Sequence, residues 1–82
     1  MKWIYITFRS VTYAQKAQRL LDREGIRGTL LRTPRWMEPR GCSYAIRLGL
    51  RERERVTALL GENGIPWEKC FGWDGGGQVR AL

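Results

Sequence analysis

Histidine is missing from the 82 residues, and with it the side chain that most often serves as a general base near neutral pH or as a metal ligand. Cysteine is scarce. Cys42 and Cys70 are too few for the disulfide framework of a small secreted domain, and their wide spacing matches neither a Cys-x-x-Cys redox pair nor a zinc knuckle. Reduced thiols without an internal bridge are expected, with no metal and no cofactor. No apolar run approaches the roughly 18 residues of a membrane span, and Met1-Lys2-Trp3 runs straight into a strand-like pattern without the apolar core and cleavage site of a signal peptide. A soluble, cytoplasmic protein with no membrane partner is therefore expected. Acidic residues are also in deficit, 8 against 15 basic ones, for a net charge of +7. Most of the basic residues are arginine, a side chain suited to phosphate and carboxylate. Charge alone does not choose among an RNA, an acidic protein, a small oxyanion and a merely arginine-rich proteome.

What is present suffices for one small domain. Trp3 to Phe8 alternates strong β-formers, with Ile4, Ile6 and Phe8 on one side and Trp3, Tyr5 and Thr7 on the other. Ser10 is a good N-cap for a helix over residues 11–24 whose apolar positions Ala14, Ala17, Leu20 and Leu21 follow the 3.6 period. Gly25-Ile26 closes it in the manner of a glycine C-cap with its hydrophobic contact. A second strand fits residues 28–33 and stops at Pro34. A third fits 43–48, burying Tyr44, Ile46 and Leu48. A second helix fits 51–62, directing Val56, Leu59 and Leu60 inward, with Asn63-Gly64 and Pro66 as its exit. A fourth, less regular strand at 67–71 is placed at an edge of the sheet.

Leu20-Leu21-Asp22-Arg23-Glu24-Gly25-Ile26 is echoed by Leu59-Leu60-Gly61-Glu62-Asn63-Gly64-Ile65. Each half reads strand, helix, strand. The expected fold is α+β: a ferredoxin-like β-α-β-β-α-β sandwich, a four-stranded antiparallel sheet in the order 4-1-3-2 with two helices on one face. The domain is assigned to residues 1–71. Residues 72–82 form a glycine-rich tail too irregular for regular structure and expected to be flexible.

The segment around which this scaffold is organised is Thr33-Pro34-Arg35-Trp36-Met37-Glu38-Pro39-Arg40-Gly41-Cys42-Ser43. In the expected topology the third strand starts beside the end of the first, so Cys42 comes close to Ser10 and the N-terminus of the first helix. Unpaired N–H groups, the helix dipole and arginines at 9, 35 and 40 would favour thiolate over thiol. Gly41 would allow close approach. Such a thiolate suits attack on a sulfur or selenium donor. The competing reading is a small hydrophobe plugging the sheet edge.

At this point the chain resembles a family of small selenium/sulfur carrier-like proteins, long catalogued as a domain of unknown function. The resemblance covers residues 2 to about 70. It rests on the opening strand into Ser10, on Ala14 and Ala17 before Leu20-Leu21, on Gly25-Ile26, on Thr33-Pro34-Arg35, and on the cysteine heading the third strand. It implies that Cys42 carries the chalcogen as a persulfide or selenopersulfide, received from a cysteine desulfurase or selenocysteine lyase-type donor and passed to an acceptor protein. The family places a Cys-Gly pair here, whereas Gly41 precedes and Ser43 follows Cys42. Ser10, Arg35, Arg40 and Gly41 are the expected stabilisers of the anion.

The alternative is a basic, non-catalytic adaptor binding a protein or RNA. Residues 40–47 partly match the third-strand pattern of an RNA-recognition motif, but stacking bases on the open face would turn Tyr44 outward and bury Arg47, at a cost of about several kcal/mol. Nucleic acid is accordingly disfavoured. Trp3 and Tyr5 on that face call for a cover, for which a homodimer partner ranks first, the tail with Trp73 second and a stacked base third. Trp36 and Met37 are either a lid over Cys42, a docking surface or structural. Cys70 is placed near the far end of the fourth strand as a partly buried structural residue, well away from Cys42. Turnover as an enzyme is not expected, because no acid/base pair, metal cluster or phosphate-binding glycine loop is identifiable.

Overall fold

The computed structural model describes residues 3–33, 44–73 and 79–81. Their elements are β1 (Trp3–Phe8), α1 (Val11–Arg23), β2 (Thr29–Arg32), β3 (Tyr44–Gly49), a 3-10 turn (Leu50–Glu52), α2 (Arg53–Glu62), β4 (Cys70–Trp73) and β5 (Val79–Ala81). The alternation in β1 decides the layering. Ile4, Ile6 and Phe8 are buried in one core with Ala14, Ala17, Leu20 and Leu21 of α1 and Val56 and Leu60 of α2. Both helices therefore cover the same face of the strand. All strand pairs are antiparallel, in the order β2-β3-β1-β4-β5. The expected α+β class with two helices is observed, and the four expected antiparallel strands are joined by a fifth.

The phase of β3 is the one that spares Arg47. Ile46 and Leu48 join the helix-side core, while Ala45 packs with Tyr5 on the opposite face. Tyr44 was expected to be buried and is half-buried, packed against the edge of the helix-side core, with the Arg32 guanidinium 5.8 Å from its ring centroid. It is thus not displayed on the open face as a base-stacking platform would require.

The two helix exits repeat bond for bond. The Ile26 N–H donates to the Leu21 carbonyl (2.8 Å) and Gly25 to Asp22 (3.1 Å); Ile65 donates to Leu60 (2.9 Å) and Gly64 to Gly61 (3.2 Å). Each is a Schellman motif with glycine at the left-handed position, at φ 73° and 64°. The sequence echo is therefore helix-ending chemistry. The Arg55 side chain donates to the Glu24 carbonyl (3.2 Å), tying α2 to the end of α1.

Three expectations are corrected. The fourth strand begins at Cys70 rather than at residue 67, because Glu68 and Lys69 both face Thr7. Glu68 N–H donates to the Thr7 carbonyl (2.8 Å), Thr7 N–H to the Lys69 carbonyl (2.8 Å), and Lys69 N–H to Thr7 Oγ1 (3.0 Å). Two residues against one is a bulge, which interrupts the ladder. Secondly, β4 is not the edge. Residues 79–81, expected in an irregular tail, pair with Phe71–Trp73 as β5. Pairing with an existing strand supplies the hydrogen bonds that a short segment cannot make alone.

Thirdly, Trp3 and Tyr5 are not equally exposed. Tyr5 is 7% exposed, with the Trp73 ring edge-on at 6.4 Å, whereas Trp3 is 38% exposed beneath the Arg47 guanidinium at 4.9 Å. Trp73, expected in the tail, belongs to β4 and supplies part of the cover.

Gly28 precedes β2 where α1 and β3 converge. A Cβ there would lie 2.7 Å from Ile46 Cγ2 and 2.9 Å from Leu48 Cδ2, whereas one at Gly49 would meet nothing within 4 Å. Gly28→Ala is expected to cost about 1–3 kcal/mol by overpacking, lowering the urea midpoint, while Gly49→Ala leaves it within about 0.5 kcal/mol of wild type. Equal midpoints for the two variants would refute the close packing at Gly28.

Candidate functional site

Ser10 leaves β1 in extended geometry (φ −126°, ψ 152°) and caps α1, its Oγ accepting the Tyr13 N–H at 3.3 Å. The antiparallel register pairs Phe8 with Tyr44, and Tyr44 in turn with Arg32. The beginning of β3 therefore sits at the exit of β1, two residues before the capping serine. Cys42, Arg35, Arg40 and Gly41 lie outside the described residues, as do Trp36 and Met37. Of the expected site residues, Ser10 is the one described, and it holds the capping position assigned to it. No acidic residue occupies the first turn of α1, so the positive end of its dipole is not offset from within the helix.

Arg9 stands at the same end of the sheet but is not a free cation, because its Nε is bonded to the Glu68 carboxylate. This partner was not anticipated. The bulge at Glu68-Lys69 sets the register of that segment against Thr7, and nothing in the linear pattern reveals it. Thr33 follows β2 and borders residues 34–43. It is 3% exposed, and its Oγ1 has no hydrogen-bond partner among the described residues.

Cys70 is relocated by the structure. It opens β4 opposite Ile6, and Ile6 pairs on its other side with Ile46, so Cys70 is two strands from β3 rather than at the far end of its own strand. At about 4.8 Å per strand, the Cα of Cys70 is roughly 10 Å from that of Ile46. Cys70 is a free thiol, 5% exposed within the helix-side core. Burial pushes its pKa up, against the opposing charge and hydrogen bond of Arg53 at the start of α2. A thiol held neutral in this way is a poor nucleophile. Among the described residues there is no group of three or more His, Cys, Asp or Glu that could hold a metal, and no helix long and apolar enough to cross a membrane.

Two outcomes are expected. Ser10→Ala removes the cap and costs about 1 kcal/mol, read as a lower thermal midpoint; an unchanged midpoint would deny the cap. The raised Cys70 pKa makes the folded state hold its proton where the unfolded chain has lost it. Its contribution to stability is complete below the unfolded value of about 8.5 and is lost as pH rises toward the folded value. The stability difference between wild type and Cys70→Ala should therefore shrink from neutral pH to about pH 10. A constant difference would contradict the burial of this thiol.

The family model described as "Putative Se/S carrier protein-like" matches residues 3–71. No curated protein and no solved structure matches the chain.

Proposed function

Because the chain belongs to the Se/S carrier protein-like family, we propose that it carries a sulfur or selenium atom on Cys42 as a persulfide or selenopersulfide. The element order β-α-β-β-α-β with both helices on one face is read as the ferredoxin-like arrangement, in which the segment entering β3 meets the N-terminus of α1. The observation that carries the proposal is the pairing of Phe8 with Tyr44. Cys42 is two residues before Tyr44 in the chain, and Ser10, capping a helix without acidic residues in its first turn, is two residues after Phe8. A helix N-terminus favours thiolate over thiol.

The chemistry is sulfane transfer. The Cys42 thiolate attacks the terminal sulfur of a donor-enzyme persulfide, forming one S–S bond while the donor's S–S bond breaks and its cysteine leaves as thiolate. The proton of the donor persulfide travels with the transferred sulfur, and no external oxidant or reductant is consumed. With a selenopersulfide donor the S–Se bond exchanges in the same way. An acceptor thiolate or other nucleophile then removes the chalcogen. A cysteine desulfurase or selenocysteine lyase-type enzyme is the donor class that generates such species. Arg35, Arg40 and Gly41 are the proposed stabilisers of the bound anion, with Arg9 discounted by its pairing with Glu68. The protein acts as a carrier rather than as a turnover enzyme. A homodimer through the open face keeps Trp3 as its exposed aromatic, since Tyr5 is already covered.

Intact-protein mass spectrometry tests this directly, after incubation with a cysteine desulfurase and cysteine or a selenocysteine lyase and selenocysteine. A reductant-sensitive gain of one sulfur or selenium atom is expected in wild type and Cys70→Ala and not in Cys42→Ala. No adduct, or an adduct retained in Cys42→Ala, would return Cys42 to a structural role and leave a non-covalent adaptor as the better reading.

A further inference from the structure

The outer side of α1 and the segment that follows α2 carry a shallow surface groove made of three depressions that share lining residues. One depression of about 400 Å³ lies against Arg9, Tyr13, Pro66 and Trp67. A second, of about 550 Å³, shares Tyr13, Pro66 and Trp67 and extends to Ile65. A third, of about 260 Å³, shares Ile65 and is bordered by Lys16, Arg19 and Arg23. Tyr13 and Trp67 are 40% and 37% exposed, among the most exposed large hydrophobic side chains described. The groove is therefore apolar at one end and basic at the other.

The basic end has no ion-pair partner among the described residues. Lys16, Arg19 and Arg23 are spaced i, i+3, i+7, so they form one stripe along the helix. All three are exposed, and none makes an ion pair with a described residue. Asp22, the one acidic residue of α1, lines a separate depression with Trp3 and Arg27. A solvated basic stripe is ordinary by itself. A basic stripe continuous with an apolar trough walled by exposed Tyr and Trp has the composition of a protein-binding hot spot.

We propose that this groove binds an acidic amphipathic helix of another protein. Its carboxylates would face Lys16, Arg19 and Arg23, and an aromatic or aliphatic anchor would enter between Tyr13, Pro66 and Trp67. The ten steps from Tyr13 to Arg23 span about 15 Å at 1.5 Å per residue, which two to three turns of a partner helix match. Helix-in-groove recognition supplies the apolar contacts, and the charge stripe sets orientation and on-rate. Single-stranded RNA fits less well. Among the described residues the aromatic end offers no free cation to a phosphate, because Arg9 there is paired with Glu68. The inference stands on the groove and survives if Cys42 carries nothing.

The probe is a fluorescein-labelled synthetic amphipathic helix with a Leu/Phe stripe flanked by Glu, titrated by anisotropy against the full chain at low and physiological salt. Saturable binding is expected in the range of about 10–100 μM. Arg19→Glu and Trp67→Ala should each weaken it by about tenfold or more, and Arg51→Glu, a charge change of the same size outside the groove, should leave it unchanged. Arg19 projects into solvent, so its substitution tests the groove even if Trp67→Ala perturbs folding. Three results would overturn the proposal: no saturable binding, equal affinity for the same peptide with Gln in place of Glu, or equal weakening by Arg51→Glu. Tighter binding of oligouridine, with the same dependence on Arg19 and Trp67, would instead make the groove a nucleic-acid surface.

Discussion

The antiparallel ladder between β1 and β3 is the constraint on which the other features rest. It pairs Ile6 with Ile46 and Phe8 with Tyr44, and because the side-chain period of a strand is two, a slip of one residue would exchange the faces of the whole strand. Ile46 and Leu48 would then leave the core and Arg47 would enter it. In the observed register Arg47 lies over the Trp3 ring, where a guanidinium keeps its hydration while gaining a cation–π contact. The same ladder brings the entry to β3 beside the exit of β1, and hence beside the capped start of α1. The layering and the meeting of β3's start with the capped end of α1 are consequences of one pairing.

Cys70 is folded into the core, where burial outweighs the influence of Arg53 and keeps the sulfur protonated. The proposed carrier chemistry falls to Cys42, two residues before Tyr44 in the chain. A buried, neutral thiol is a poor competitor for a sulfur donor. The bulge at Glu68-Lys69 contributes as well, since it directs a carboxylate onto Arg9 and makes the charge at that end of the sheet less positive than the net +7 of the chain suggests. Charge without an ion-pair partner among the described residues lies instead on the outer stripe of α1, where it borders apolar surface. In the two proposals, steering of an acidic partner and stabilisation of a chalcogen anion fall to different arginines.

Local patterns carried much of the architecture. Alternation in Trp3–Phe8, the 3.6-residue period of Ala14, Ala17, Leu20 and Leu21, the Ser10 cap and the paired Gly-Ile exits are encoded within one or two turns, and each appears where the pattern puts it. Of the candidate site, Ser10 and its place beside the start of β3 were legible, because they follow from a cap and from strand order. The partners of Arg9 and Cys70 were not. Both depend on a bulge that trades one ladder bond for a contact with the Thr7 hydroxyl, and a bulge has no signature in a stretch as irregular as Ile65-Pro66-Trp67-Glu68-Lys69. The pairing of residues 79–81 with β4 was hidden for a related reason. Their hydrogen bonds are made to a strand across a glycine run, and the short segment shows no strong periodicity of its own.

The sequence by itself determined the helices, their caps and the faces of β1 and β3, since these follow from side-chain periodicity and backbone stereochemistry acting over a few residues. Only the tertiary structure decided where β4 begins, which carboxylate meets Arg9, how deeply Cys70 is buried, and that Tyr13 and Trp67 share one groove. Those outcomes depend on register and on contacts between segments far apart in the chain, whose free energy is collective and is not written in any single stretch.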